Sequence, residues 1–265
     1  MNTPIETLRI ICVSVVRDYE MYRRCLQDNP CANIYTLHAI DNQFENANIS
    51  VRYNHFLDNY NYDDPAWFIF CHEDFEIQEA LAPYFCQADK SCLYGPIGVL
   101  TKVYCGCLYQ WKLLGHIAES RRDGGAPQHV GIPVAMGMPV ETFDCQCLIV
   151  HSDLIRTTGL RFDPRLSFDL YVEDFCIQAK EIHKIPSLIM PFKCKHWSSS
   201  TAVERYYPQE AYLKAKYPHC CYTGTSSYDI GTPTRWRRYN SSAKRALQRL
   251  LQKARGLIKS LRHDA

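Results

Sequence analysis

The sequence predicts an α/β protein with a Rossmann-like, mostly parallel central sheet flanked by helices. Two stretches carry that reading first. Leu8–Val16 (LRIICVSVV) and Trp67–Cys71 (WFIFC) are almost unbroken apolar runs, the pattern of strands buried on both faces of a parallel sheet. The third observation is order. Strand, helix, strand, helix and strand follow one another within the first 75 residues, which calls for parallel strands joined by right-handed crossovers.

The elements justify themselves in turn. After the first strand, Arg17-Asp18-Tyr19-Glu20 opens a helix over Tyr19–Gln27, and Asn29-Pro30 ends it. Ile34–Ile40 is a second strand, closed by Asp41-Asn42. The polar loop Gln43–Asn48 leads into a helix from Ile49 to Leu57, and the strand at Trp67 follows. A helix is expected over Glu79–Cys86 and a strand over Gly95–Val103. Residues 115–139 are rich in Gly, Pro and Arg around Arg121-Arg122-Asp123-Gly124-Gly125, and read as a long irregular connection, a kind that is usually functional or disordered. Phe143–Val150 (FDCQCLIV) returns to strand with Asp144 at its start. Ser152-Asp153 caps a short helix ending at Gly159. Phe168–Lys184 begins with Asp169, Glu173 and Asp174 and continues as a helix; Ser187–Phe192 is a last strand, followed by Lys193-Cys194-Lys195-His196-Trp197.

The strand at Trp67 ends abruptly in His72-Glu73-Asp74. Ligands of open α/β sheets sit beyond the carboxyl ends of the strands, so an imidazole and two carboxylates stand where such a fold places its chemistry. Oxygen and imidazole donors suit Mg²⁺ or Mn²⁺, and a bound cation neutralises phosphates. An isolated acidic turn more often does no more than end a strand in solvent; its weight here comes from the motifs around it.

Composition removes several classes. At 265 residues, 46% hydrophobic and 22% charged, the chain suits one large α/β domain or two small ones. Its 14 cysteines include no CxxC pair and no zinc-finger spacing, which speaks against structural zinc; several fall in apolar runs and read as reduced thiols of a cytosolic protein. No stretch approaches the roughly 20 apolar residues that span a bilayer. No G-x-G-x-x-G follows the first strand and no G-x-x-x-x-G-K-[ST] occurs, against a dinucleotide or P-loop enzyme.

In order, these pieces resemble a GT-A glycosyltransferase of the family two kind, closest to the glycosyltransferase-like branch of bacterial surface-polysaccharide clusters. The first half carries Asp41-Asn42 after the second strand, Ser50…Tyr53-Asn54 in the next helix and His72-Glu73-Asp74 after a hydrophobic strand. The second carries Thr142-Phe143-Asp144…Cys147-Leu148-Ile149-Val150, Gly159-Leu160…Phe162-Asp163, Phe168…Tyr171…Asp174-Phe175-Cys176-Ile177-Gln178-Ala179, and a strand leading to His196. The resemblance covers about residues 8–200. It implies a GT-A domain over 1–218, with a nucleotide-sugar half at about 8–105 and an acceptor half at about 106–200, and an extension at 219–265.

The resemblance also implies roles. Asp74 takes the metal-contacting position and His196 that of a late histidine ligand, for Mn²⁺ or Mg²⁺; His72 replaces the first acid of the family's strand-end motif, which favours Mn²⁺. Val16 and Asp18 would line the base pocket, Asp41 and Asn42 would contact base or ribose, and Asn54, His72, Glu73 and Asp144 would complete the nucleotide-sugar site. Asp174, with Glu173 next, would be the base that deprotonates the acceptor hydroxyl. The implied donor is a UDP-sugar and the acceptor a glycan or lipid-linked glycan, with inversion. The alternative is a GT-A module that binds nucleotide sugar without turning it over, suggested by the altered acidic motif and by Val172 where the family often has Asp.

The tail stands apart. Net charge is +2, yet Arg235–Arg262 holds ten Lys/Arg and no acid. Apolar residues from Ala243 to Leu261 recur at helix spacing. The stripe fits a helix lying on an anionic membrane, which would make the protein peripheral on the inner face of the membrane, and fits equally a helix docked on the acidic body or a solvated or oligomer-forming helix. Nucleic acid is not an expected partner, since stacking aromatics are sparse and no recognised motif occurs.

Overall fold

The computed structural model describes residues 8–104, 108–122, 125–198 and 203–218, with further short pieces at 220–222, 224–225 and 230–231. The basic stripe from Ala243 to Leu261 lies outside the described residues. Strand β1 (Ile10–Val16) leads into helix α1 (Tyr19–Tyr22), which runs on as a π-helical turn to Gln27; then come β2 (Thr36–Asp41), α2 (Ile49–Asn59) and β3 (Trp67–Cys71). The chain continues through β4 (Phe75–Ile77), the single turn α3 (Ala82–Phe85), β5 (Leu93–Gly95), β6 (Ile97–Tyr104), β7 (Leu108–Gly115), β8 (Ile117–Arg121), β9 (Gln128–Val130), β10 (Pro139–Val140) and β11 (Thr142–Phe143). It then forms β12 (Cys147–His151), α4 (Ser152–Thr158), α5 (Tyr171–His183), β13 (Ser187–Ile189), β14 (Cys194–Ser198) and α6 (Val203–Lys216).

The central sheet has the order β10-β13-β5-β12-β3-β1-β2. β1 pairs in parallel with β2 and β3, and β5 with β13, while β12 runs antiparallel between β3 and β5. Five of the seven strands therefore point one way, the parallel-rich α/β architecture expected. Alternate residues of β1 and β3 enter opposite cores. Val13, Val15, Phe68 and Phe70 pack with α2, α4, α5 and α6 on one side; Cys12, Val16, Ile69 and Cys71 pack with α1, its π-turn and α3 on the other. That is why these strands are apolar at every position but Ser14, whose hydroxyl lies 3.4 Å from the Cys71 sulfur.

A second sheet, β4-β14-β8-β9, stands at the end of β3. It corrects the expectation of an irregular segment at 115–139, which holds β8 and β9; flanking Gly and Pro hid two short strands. Gly115 makes the entry possible. Its φ is +89° and a Cβ would lie 2.0 Å from the Pro96 carbonyl oxygen, so no other residue fits. The expected strand at Phe143–Val150 is two strands in different sheets, broken where Asp144 Oδ1 accepts from the Gln146 N–H at 3.2 Å. The expected helix at Glu79–Cys86 shrinks to α3, because Pro83 sits in the first turn, the position that tolerates it.

Candidate active site

Residues His72, Glu73 and Asp74 form the turn between β3 and β4, and backbone pairing sets their surroundings. Glu73 Oε2 accepts from the N–H groups of Arg17 (2.5 Å) and Asp18 (3.0 Å), which sews the turn to the end of β1. On the other side the Trp197 N–H donates to the Asp74 carbonyl at 3.0 Å. The register of β14 places His196 opposite Phe75 of β4 and opposite Glu119 of β8. His196 therefore lies between two carboxylates: Nε2 is 3.3 Å from Asp74 Oδ1 and Nδ1 is 3.1 Å from Glu119 Oε2.

His72 is held as firmly. Its Nε2 is 3.0 Å from the Tyr171 hydroxyl, and that hydroxyl donates to the Cys145 carbonyl at 2.6 Å. The one hydroxyl proton is thus spent, so the ring proton sits on Nε2 and Nδ1 keeps its lone pair. Phe168 stacks on the ring at 5.1 Å. Burial lowers the His72 pKa to about 4, so the ring is neutral at pH 7.

The ligating atoms of His72, Asp74 and His196 all lie within 4.8 Å of one another. Two imidazoles and a carboxylate, with Glu119 behind one ring and Tyr171 behind the other, are a donor set of the kind that holds Mn²⁺ more readily than Mg²⁺. Without a cation the groups satisfy each other. Burial opposes charge on Asp74, but hydrogen bonds from His196 and Arg122 outweigh it and hold the carboxyl well below the usual range. Burial likewise opposes charge on His196, and Asp74 and Glu119 overcome it, raising its pKa to about 10.

Arg122 and Glu119 are site residues that sequence reasoning did not assign. Arg122 Nη2 lies 2.7 Å from Asp74 Oδ2 and 3.8 Å from Glu73 Oε1, Nη1 lies 3.1 Å from Asp18 Oδ2, and Nε donates to the Trp197 carbonyl at 3.2 Å. The only sequence signal for it was its place in the Gly-rich stretch. Asp18 uses its other oxygen to cap α1 through the Glu20 and Met21 N–H groups.

The remaining expected site residues divide. Glu173 is 2% exposed and accepts from the Cys145 thiol at 3.0 Å; burial first, then the charge of Asp144, raise its pKa to about 8. The charge of Asp144 also acts on His72, and its carboxylate takes the Thr225 hydroxyl. Asp174 is fully buried and committed elsewhere: Lys216 Nζ lies at 2.6 Å, the Tyr217 hydroxyl at 2.7 Å and the Gln178 amide at 2.6 Å.

Asn54 donates to the Phe162 carbonyl at 2.8 Å and accepts from the Phe162 N–H at 2.9 Å, so both ends of its amide are used in clipping α2 to that loop. Asn42, 4% exposed, makes a similar clip to Ala47. Val16 is fully buried and presents backbone alone at the strand end, where its carbonyl accepts from the Asn42 N–H at 2.8 Å. Asp41, its register partner, is exposed there.

No protein-family model matches the chain, and no curated protein matches it in sequence. Among solved structures it is similar to A197 from STIV, at 11% identity over 72% of this chain and 86% of that one, with a TM-score of 0.39. It is also similar to S. aureus TarS 1-349, at 11% identity over 72% of this chain and a TM-score of 0.42, and it spans 60% of the TarS chain. Among the described residues no helix is long and apolar enough to cross a membrane.

Proposed function

We propose that the protein is a GT-A type glycosyltransferase that moves a sugar from a nucleotide donor, a UDP-sugar, to a glycan or lipid-linked glycan, with inversion. The observation that carries the reading is the convergence of Asp18, Glu73, Asp74 and His196 at the carboxyl ends of β1 and β3, where an open α/β sheet takes its ligand. Asp41, exposed at the end of β2, is placed for base or ribose. A Mn²⁺ or Mg²⁺ held by Asp74, His196 and His72 would stabilise the charge that builds on the leaving diphosphate.

Glu173, rather than Asp174, is the base we propose. Its pKa near 8 suits removal of a proton from a hydroxyl at neutral to mildly alkaline pH. Asp174 has its oxygens taken by Lys216, Tyr217 and Gln178. Asp144, whose charge acts on both His72 and Glu173, would accept hydrogen bonds from hydroxyls of the donor sugar. Acceptor oxygen attacks the anomeric carbon, the bond to the diphosphate breaks, and Glu173 takes the hydroxyl proton.

The test is a panel of nucleotide sugars measured by thermal shift and by turnover, with Mn²⁺ and with EDTA. A UDP-sugar should raise the melting temperature and be consumed only with the cation. Stabilisation without turnover would leave a nucleotide-sugar-binding module; no response to any donor would overturn the reading.

A further inference from the structure

Arg122 contacts three carboxylates at once, and each contact involves a group the transferase reading needs. Asp18, Glu73 and Asp74 are shielded from water to increasing degrees, with side-chain exposures of 38%, 15% and 9%. Like charges so placed repel strongly unless a cation stands among them, and Arg122 is the cation that touches all three here. It occupies Asp74 Oδ2 while Oδ1 faces His196. A dication bound through Oδ1 would therefore share one carboxylate with a guanidinium, and each would weaken the other's hold.

We infer that Arg122 is a resident counter-ion, which competes with a divalent cation for the Asp74 cluster and passes to the donor diphosphate when the cation binds. The inference rests on the transferase reading. Exposure is distributed as the role requires. The Arg122 side chain is 32% exposed and lies just past the end of β8, whereas His72 and His196 are packed and hydrogen-bonded at their other ring nitrogens. The guanidinium can leave while the ligands stay. Its planar set of donors matches phosphate oxygens in pairs, so the group released from the acids is the partner a diphosphate takes. An acidic site that is neutralised internally has no need of a cation until donor arrives with it, and metal and donor then bind cooperatively.

Titration calorimetry on the full chain tests this, with Mn²⁺ alone and with UDP in saturating Mn²⁺, on wild type, Arg122→Gln and Arg122→Lys. Arg122→Gln should bind Mn²⁺ about tenfold tighter than wild type and bind UDP about tenfold more weakly, within the usual range of coupling between sites. Arg122→Lys should stay within a few-fold of wild type for Mn²⁺. Arg122→Ala serves if Arg122→Gln melts below the assay temperature. Equal or weaker Mn²⁺ binding by the charge-removing variants, or unchanged UDP binding, overturns the inference and leaves the transferase reading standing. No Mn²⁺ binding by any variant, wild type included, overturns the inference together with the Mn²⁺ assignment, and leaves the transferase reading to the donor panel.

Discussion

Lys216, the last residue of α6, places its Nζ 2.6 Å from Asp174 and 2.8 Å from Asp163, and so ties α6 to α5 and to the loop before it. Asp174 is fully buried, while Lys216 keeps 22% of its side chain in solvent. Removing one partner of a buried pair leaves a charge without compensation, at a cost of about 3–5 kcal/mol; the solvent access of Lys216 puts Lys216→Met at the low end. Asp174→Asn keeps shape and loses charge. It should lower the urea midpoint while turnover per folded molecule stays within a few-fold of wild type. A variant with an unchanged midpoint and turnover down by about 10²-fold or more would return the base to Asp174.

Asn54 has a structural role that can be tested beside the expected ligand-binding one. Its amide closes a two-bond clip on the backbone of Phe162. Asn54→Ala leaves a carbonyl and an N–H without partners, which costs about 1–3 kcal/mol where water cannot reach them. Denaturation should show that loss, and UDP affinity should be unaltered. Loss of UDP affinity at full stability would restore a ligand-binding role.

The parts legible in the sequence were those whose reason is local. β1 and β3 announce themselves because a strand packed on both faces is apolar almost throughout, and the acids that end β3 mark the candidate site. Glu119 and Arg122 were not legible. Glu119 reaches His196 and Arg122 reaches Asp74 through the pairing of β8 with β14, more than 70 residues apart in sequence, and no local pattern encodes that register. α6 was obscured by Pro208 within it. The choice between Glu173 and Asp174 was also closed. Successive helical residues point about 100° apart, so one acid can meet the site only if the other meets the helix packing, and which is which depends on where α5 begins.

The metal reading predicts an order of effects. Asp74 is the central group of the cluster, touched by both Arg122 and His196, so Asp74→Asn should abolish measurable Mn²⁺ binding and the Mn²⁺-dependent part of UDP binding. His196→Gln removes one ring nitrogen and should weaken both less. Calorimetry of the two variants checks the order. Mn²⁺ bound by Asp74→Asn as tightly as by wild type would place the cation elsewhere.

The basic tail predicts a separable property. Ten Lys/Arg without an acid between Arg235 and Arg262 favour an anionic surface by about 1 kcal/mol for each residue that reaches it. Deleting residues 235–265 should reduce sedimentation with anionic vesicles at low salt, by a difference that fades at high salt, and should leave turnover of a soluble acceptor analogue largely intact. Equal sedimentation of the full and shortened chains would dispose of the membrane role. A change in mass or solubility would assign the stripe to an internal or subunit interface.

Glu173 offers a test in which stability and activity move in opposite directions. Its pKa rises from 4.5 to about 8 on folding, through burial and then through Asp144. A carboxyl whose folded pKa exceeds its unfolded one binds more protons in the native state between the two values. Its contribution to stability is therefore fully present below the unfolded pKa and is lost as pH climbs toward 8, at up to about 1.4 kcal/mol per pH unit. As a base, the same group works only once ionised, so turnover should climb over that window and level off above it. Glu173→Gln cannot ionise. It should lose the part of the pH dependence of stability that falls between about pH 5 and 8, retain donor affinity within a few-fold, and turn over about 10²–10⁴-fold more slowly. Urea denaturation across pH and a pH–rate profile on both proteins supply the two readouts. A rate profile flat through pH 8 in wild type, with the stability slope still present, would leave Glu173 buried and titrating but remove it from the chemistry.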